Sequence, residues 1–208
     1  GLKDVEELQS YLIRRIEKFL NANGRDLLGW DEILEGGLAP NATVMSWRGV
    51  EGGLKAIRSG HRAIMSPGGY CYLDSYQDAP FSQPEAIGGY LPLERVYSYE
   101  PVPDSMTVSE AQLLLGVQAN LWTEYVPTAE HAEYMLYPRA IAVAEVGWTQ
   151  PENKSWSSFR QRVLTSVLPK MQAKGYHPFD YSQEIGNRPE AQQPVEHLAV
   201  GKKVKFLA

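Results

Sequence analysis

Apolar positions Val5, Leu8, Leu12, Ile16, Phe19 and Leu20 recur at the spacing of one helix face, and Asn23-Gly24 supplies a stop. This pattern predicts a helix over residues 3–22. Four later runs are apolar throughout: DLLGW (26–30), TVMSW (43–47), RAIMS (62–66) and LLLGVQANLW (113–122). They read as buried strands. EGGLKAIRSG, between the second and third runs, reads as a short helix with a glycine stop, and two helical patterns follow the fourth, over about 129–147 and 155–174. Strands without alternation, separated by helices, imply βα units and a parallel sheet covered on both faces. The fold class is therefore α/β, either a closed barrel or a doubly wound sheet. Residues 67–112, rich in Gly, Pro and Tyr, are too many for a plain connection, and loops of that size usually carry function. From residue 182 the texture changes. SQEIGNRPEAQQPVEH reads as a polar linker and LAVGKKVKFLA as the first strand of a following domain, giving a division at 1–181 and 182–208.

Composition narrows the function classes. With 208 residues, 43% hydrophobic and 22% charged, the chain has material for one sizeable core. A net charge of −5 and dispersed Lys and Arg leave no basic stripe for a phosphate backbone, so nucleic acid is not an expected partner. The single cysteine, Cys71, allows no intrachain disulfide, and His61, His131, His177 and His197 lie far apart, so no metal or cofactor is expected. No apolar run is long enough for a membrane span. GLKDVEELQS reads as amphipathic helix and not as a signal peptide, an expectation that the chain begins inside a domain.

The chemistry lies at the strand ends. Trp30, followed by Asp31 and Glu32, closes the first run; Trp47, followed by Arg48, closes the second; Trp122 closes the fourth, with Glu124 two positions later. The third run leads into Tyr72 and Asp74. In parallel α/β folds the ligand site lies at the carboxyl ends of the strands, so these side chains can converge. A sugar ring offers an apolar C–H face and a rim of hydroxyls, which flat aromatics and carboxylates match respectively. Each residue also has a plainer role open to it: a tryptophan in the core, Glu124, Asp74 or the Asp31-Glu32 pair as a helix cap or surface charge, Tyr72 as loop packing. His61 reads as a turn residue, and Arg139 as a structural partner of Glu145 or of a strand carbonyl.

The stretches GRDLLGWDEILEGGLAPNATVMSWRG, GHRAIMSPGGYCYLD, LLGVQANLWTEYV and YPRAIAVAEVGWT, in this order, resemble the second half of the catalytic domain of glycoside hydrolase family 20, the β-N-acetylhexosaminidases. The resemblance covers about residues 1–180. It implies a (β/α)8 TIM barrel of which this chain supplies about strands five to eight, and a retaining, substrate-assisted reaction through an oxazolinium ion on terminal N-acetylhexosamine residues, an exception to the usual two-carboxylate scheme. It implies a secreted or periplasmic setting, glycan substrates and no cofactor. Carried over, Trp30, Trp47 and Trp122 wall the acetamido pocket and the sugar face. Tyr72 holds the acetamide oxygen, Asp74 accepts from the 6-hydroxyl and Glu124 from the 4-hydroxyl.

The chain also departs from the family pattern. The His-x-Gly-Gly-Asp-Glu type stretch that carries the catalytic Asp-Glu pair, and the sugar-binding arginine of the first strand, have no counterpart in these 208 residues. Asp31-Glu32 is not a substitute, because GWDE matches the strand after that pair. The expected reading is a hexosaminidase segment with pocket residues but no acid/base pair, inactive alone, whose open barrel edges favour self-association. The alternatives are a glycosidase using Asp31, Glu32 or Glu124 as its carboxylates, and a noncatalytic carbohydrate-binding half-barrel.

Overall fold

The computed structural model describes residues 1–186 of the chain; the expected linker and final strand fall largely outside the described residues. The order of elements is α1 (Val5–Ala22), β1 (Leu28–Trp30), β2 (Thr43–Ser46), α2 (Glu51–Arg58), β3 (Ala63–Met65), α3 (Gly68–Cys71), α4 (Leu93–Tyr97), α5 (Val108–Ala111), β4 (Leu114–Val117), α6 (Ala129–Leu136), α7 (Arg139–Trp148), α8 (Trp156–Arg162) and α9 (Leu168–Ala173), with short 3-10 turns between.

The four strands form one parallel sheet in the order β1-β2-β3-β4. Strands that run in sequence order with helical crossovers follow the winding of a (β/α)8 barrel rather than the reversed order of a doubly wound sheet, which decides between the two architectures left open by sequence. Val44, Ala63 and Met65 are fully buried, each larger side chain contributing about 1.5–3 kcal/mol by leaving water. α2 covers β2 and β3, and its first turn lies so close that a Cβ on Gly52 would stand 2.8 Å from the Cβ of Asp31. A glycine is needed there because no larger residue leaves room for Asp31. α4, α7 and α8 join Leu73, Leu91 and Phe179 in a second core.

Several expectations change in detail. β4 stops at Val117 instead of running to residue 122. A register shift opposite Ala63/Ile64 bulges Leu115 outward, 54% exposed, and Gly116 takes φ +143°, a conformation that side chains disfavour. The pattern over 129–147 is two helices, since Tyr137 before Pro138 is extended (φ −106°, ψ 135°), as a residue before proline tends to be. The pattern over 155–174 is one helical run with a π-turn at Val163–Val167.

α1 matches its predicted span, with Asp4 as N-cap accepting the Glu7 N–H at 2.8 Å. Its docking face is another matter. It packs through Ile13 and Leu20 and through two buried polar contacts, Ser10 Oγ to the Gly37 carbonyl at 2.5 Å and Glu17 Oε1 from the Asn41 N–H at 2.6 Å. The apolar stripe that predicted the helix, Val5, Leu8, Leu12, Ile16 and Phe19, is exposed, Val5 at 73% and Phe19 at 67%.

Candidate functional site

Every residue expected at the site reaches one cavity of about 570 Å³ at the carboxyl ends of the strands, lined by Trp30, Trp47, Tyr72, Asp74, Trp122 and Glu124 together with Glu32, Gly68, Ser75 and Ile87. Trp30 is the last residue of β1 and Trp47 the first after β2. Tyr72 and Asp74 follow α3, the short helix after β3. Trp122 and Glu124 stand beyond β4 on an ordered loop, so they do not end a strand as the sequence suggested.

That loop is fixed by polar contacts below the cavity. The Leu73 N–H donates to the Asn120 carbonyl and the Asn120 N–H to the Cys71 carbonyl, both at 2.8 Å, which ties Tyr72 beside the approach to Trp122. Ser66 Oγ donates to the Gln118 carbonyl at 2.9 Å, and the Asn120 side-chain amide donates to Ser66 Oγ at 2.5 Å. These bonds replace the ladder that β4 abandons at Val117.

The aromatic side chains touch in sequence around the wall. Trp30 and Trp122 have ring centroids 6.0 Å apart at 42°, and Trp47 stacks on Tyr72 at 6.1 Å and 28°. The Trp122 indole lies near the Tyr72 hydroxyl. Burial raises the phenol above its ordinary value, and the charges of Asp74, Asp31 and Glu32 add to the rise while the nearby Trp122 opposes it, so Tyr72 is a protonated donor across the neutral range.

Asp74 is 5% exposed, and among the described residues its buried Oδ1 has no hydrogen-bond partner. An unpaired carboxylate oxygen in the interior is costly, and this one lies at the cavity wall. Burial raises this carboxyl above the usual range; Glu124 adds to that, while a backbone hydrogen bond and Arg139 oppose it. Arg139 itself is fully buried and donates to the carbonyls of Leu73, Ser75, Leu91 and Met135 at 2.5–3.0 Å. It therefore pins both sides of the Asp74 segment. Glu145 is not its partner, since that carboxylate pairs with Arg162; the carbonyls it takes belong to loops and to α6, not to strands.

The paired carboxylates Asp31 and Glu32 are engaged. Asp31 is buried, and it accepts the backbone N–H groups of Trp47 and Arg48 at 3.0 and 3.2 Å and Arg48 Nε at 2.5 Å. Glu32 accepts the Trp47 indole N–H, its two oxygens at 3.0 and 3.1 Å from Nε1. Glu124 sits at the exposed rim. His61 lies at a turn, its Nδ1 2.9 Å from the Ala42 carbonyl. Gly68, Ser75 and Ile87 were not anticipated; they belong to the 67–112 stretch, where Gly and Pro signal turns but nothing signals which side chain faces inward. Among the described residues no group of three His, Cys, Asp or Glu side chains has metal-holding geometry, and no helix is long and apolar enough to cross a membrane.

The model of the glycosyl hydrolase family 20 catalytic domain matches residues 1–151. A β-hexosaminidase of Porphyromonas gingivalis is 54% identical over 179 residues, which cover 85% of this chain and 23% of that protein. One from Vibrio furnissii is 38% identical over 152 residues, 71% of this chain and 24% of that protein. The crystal structure of a Vibrio harveyi exo-β-N-acetylglucosaminidase of family 20, in complex with N-acetylglucosamine, superposes with a TM-score of 0.74 at 32% identity, covering 85% of this chain and 28% of that one. The chain thus spans about a quarter of the length of the curated relatives that it matches. It belongs to glycosyl hydrolase family 20.

Proposed function

We propose that this chain is the pocket-bearing segment, about strands five to eight, of a β-N-acetylhexosaminidase barrel, with residues 1–181 in that domain and 182–208 leading to another. The observation that carries the reading is the buried Asp74 carboxylate, with an oxygen left unpaired, inside a cavity otherwise walled by Trp30, Trp47, Tyr72 and Trp122. A saturated ring with hydroxyls satisfies both the aromatic faces and the orphaned acceptor. Relatives named β-hexosaminidase and the N-acetylglucosamine complex of the Vibrio harveyi enzyme support the same sugar class.

In this reading the three tryptophans enclose the acetamido group and the sugar face, and the Tyr72 phenol donates to the acetamide oxygen. That bond holds the group as the internal nucleophile and strengthens as charge shifts during its attack on the anomeric carbon. Asp74 and Glu124 accept from sugar hydroxyls. The acid/base pair is not among these 208 residues, and Asp31 and Glu32 do not replace it, since both are committed to the Trp47-Arg48 segment. The test is the complete gene product on nitrophenyl N-acetyl-β-glucosaminide and on the matching 2-hydroxy glucoside. Hydrolysis of the first alone is expected; equal rates on both would contradict an acetamide-assisted reaction.

We propose further that this segment, isolated, associates. Among the described residues β1 and β4 each leave one side unpaired, Leu28 and Leu115 stand about half exposed, Trp148 is 91% exposed, and the α1 stripe lies open. Unpaired strand edges beside apolar surface seek polypeptide, either a second copy or another part of the barrel.

A further inference from the structure

The contacts around the cavity join into one arc. Glu32 holds the Trp47 indole, Trp47 stacks on Tyr72, the Tyr72 hydroxyl lies near Trp122, and Trp122 meets Trp30, which lies two residues from Glu32 in the chain. Aromatic pairs prefer offset or edge-to-face arrangements, but that preference is weaker than a hydrogen bond to a charged group. Among the described residues the one charge-assisted hydrogen bond to a ring of this arc is the bond at Glu32, and such bonds fix direction as well as distance.

Glu32 is itself held in place. It lies in the 3-10 turn Asp31–Leu34, and its neighbour Asp31 clamps the backbone N–H groups of Trp47 and Arg48 and the Arg48 side-chain Nε–H. Asp31 thus sets the main chain of Trp47 and Glu32 its side chain. A single indole N–H cannot fully satisfy both oxygens of Glu32, but the geometry centres the carboxylate on it at nearly equal distances of 3.0 and 3.1 Å.

We propose that Glu32 is a positioning residue of the reaction: by fixing the Trp47 ring it fixes the face on which the Tyr72 phenol rests, and so the aim of that phenol at the acetamide oxygen. The inference rests on the reading of the site given above. It differs from the use of Glu32 as a reacting carboxylate, because here the group neither gives nor takes a proton.

The test uses the complete gene product that carries this chain, assayed for kcat and KM on nitrophenyl N-acetyl-β-glucosaminide. Glu32→Ala and Glu32→Met, neither able to accept the indole N–H, are expected to lower kcat roughly 10- to 100-fold, as small misplacements of reacting groups do, with KM much less affected. Glu32→Gln keeps an acceptor without the charge and is expected to recover most of kcat. In a Trp47→Phe background, which lacks the indole N–H, Glu32→Met is expected to change kcat by no more than about twofold, because coupled residues are not additive. Unchanged kcat in Glu32→Met, a loss in Glu32→Gln equal to that in Glu32→Met, or an undiminished loss in the Trp47→Phe background would each overturn the positioning role while leaving the sugar reading intact. An unsubstituted protein with no acetamide-dependent hydrolysis would fail the sugar reading first, and the inference with it.

Discussion

Trp30 and Trp122 meet with ring centroids 6.0 Å apart although Trp30 ends the first strand of the sheet and Trp122 lies on the loop after the last. In a flat sheet those two strands would lie about 14 Å apart, three spacings of about 4.8 Å. The contact therefore needs a sheet that curls and a loop after β4 that leans inward, which is the curvature of a barrel. Residues 92 positions apart in sequence become the two jaws of one cavity. Trp122→Ala in the complete gene product should raise KM for an aryl N-acetyl-β-hexosaminide by roughly 10-fold or more, given the ~1.5–3 kcal/mol that burying a large apolar side chain contributes. Steady-state kinetics with an unchanged KM would remove the contact from the substrate site.

Tyr72 carries a different expectation. If its phenol holds the acetamide oxygen mainly as charge develops, Tyr72→Phe should lower kcat about 10- to 1,000-fold with a smaller change in KM, as for loss of one oxyanion donor. Because burial and the surrounding carboxylates raise this phenol above its ordinary value, the contribution should persist into alkaline pH. A kcat equal to that of the unsubstituted enzyme, with the fold intact by circular dichroism, would exclude the role.

Asp74 sets the acid side. Burial raises its carboxyl, and only the ionised form is purely an acceptor for a sugar hydroxyl. Lowering the pH protonates a group of raised pKa earlier than an ordinary aspartate, so sugar affinity should begin to fall above the usual aspartate range. The same shift runs the other way for folding: the ionised buried carboxylate is the costly form, so its cost to stability grows as pH rises through its raised value. Titration calorimetry with N-acetylglucosamine across the acid range checks this. Asp74→Asn should bind more weakly and lose the acid dependence; an unaltered pH profile would assign that limb to another group.

Arg139 tests the scaffold. Its guanidinium joins four carbonyls around the Asp74 segment, and burial pulls it down to about 9, with Asp74 opposing, so it remains charged at neutral pH. Arg139→Met would leave those carbonyls unpaired in the interior, at about 1–3 kcal/mol each for whichever cannot reach water. A loss of at least about 3 kcal/mol in urea unfolding is expected. A loss below about 1 kcal/mol would show that the carbonyls find other donors.

How much of this could be read from the chain depended on where the information lay. The strands and their aromatic ends were legible because apolar runs closed by Trp30, Trp47 and Trp122 are local patterns, and parallel strands deliver their ends to one side of the sheet. The span of α1 was legible too, but not its docking: periodicity reports an apolar face, and here that face points outward while Ser10 and Glu17 are buried. The length of β4 was misjudged because Gln118, Ala119, Asn120 and Leu121 alternate polar and apolar as a strand does, and what ends it is a long-range set of bonds from Ser66, Leu73 and Asn120. Glu32 was weighed as a reacting carboxylate, since no local signal places an indole N–H opposite it. Ile87 and Ser75 enter the cavity through tertiary folding of the 67–112 stretch, and sequence spacing does not encode that.

The isolated 208-residue chain should sediment at micromolar concentration as a dimer or larger species, because among the described residues nothing covers its sheet edges or the α1 stripe. A cooperative, stable monomer would mean that these surfaces are covered within the chain. The same sample should not hydrolyse the aryl glycoside, lacking a carboxyl placed at the glycosidic oxygen. Turnover abolished by Glu32→Gln would restore that carboxylate as an acid.

The most direct measurement is a crystal structure of the complete gene product with N-acetylglucosamine. The account expects the ring against Trp122, the acetamido group between Trp30 and Trp47 with its oxygen in hydrogen-bond reach of the Tyr72 hydroxyl, and a sugar hydroxyl on the open Oδ1 of Asp74. A sugar seated elsewhere, or one whose acetamido group points out of the cavity with Asp74 still unpaired, would contradict it.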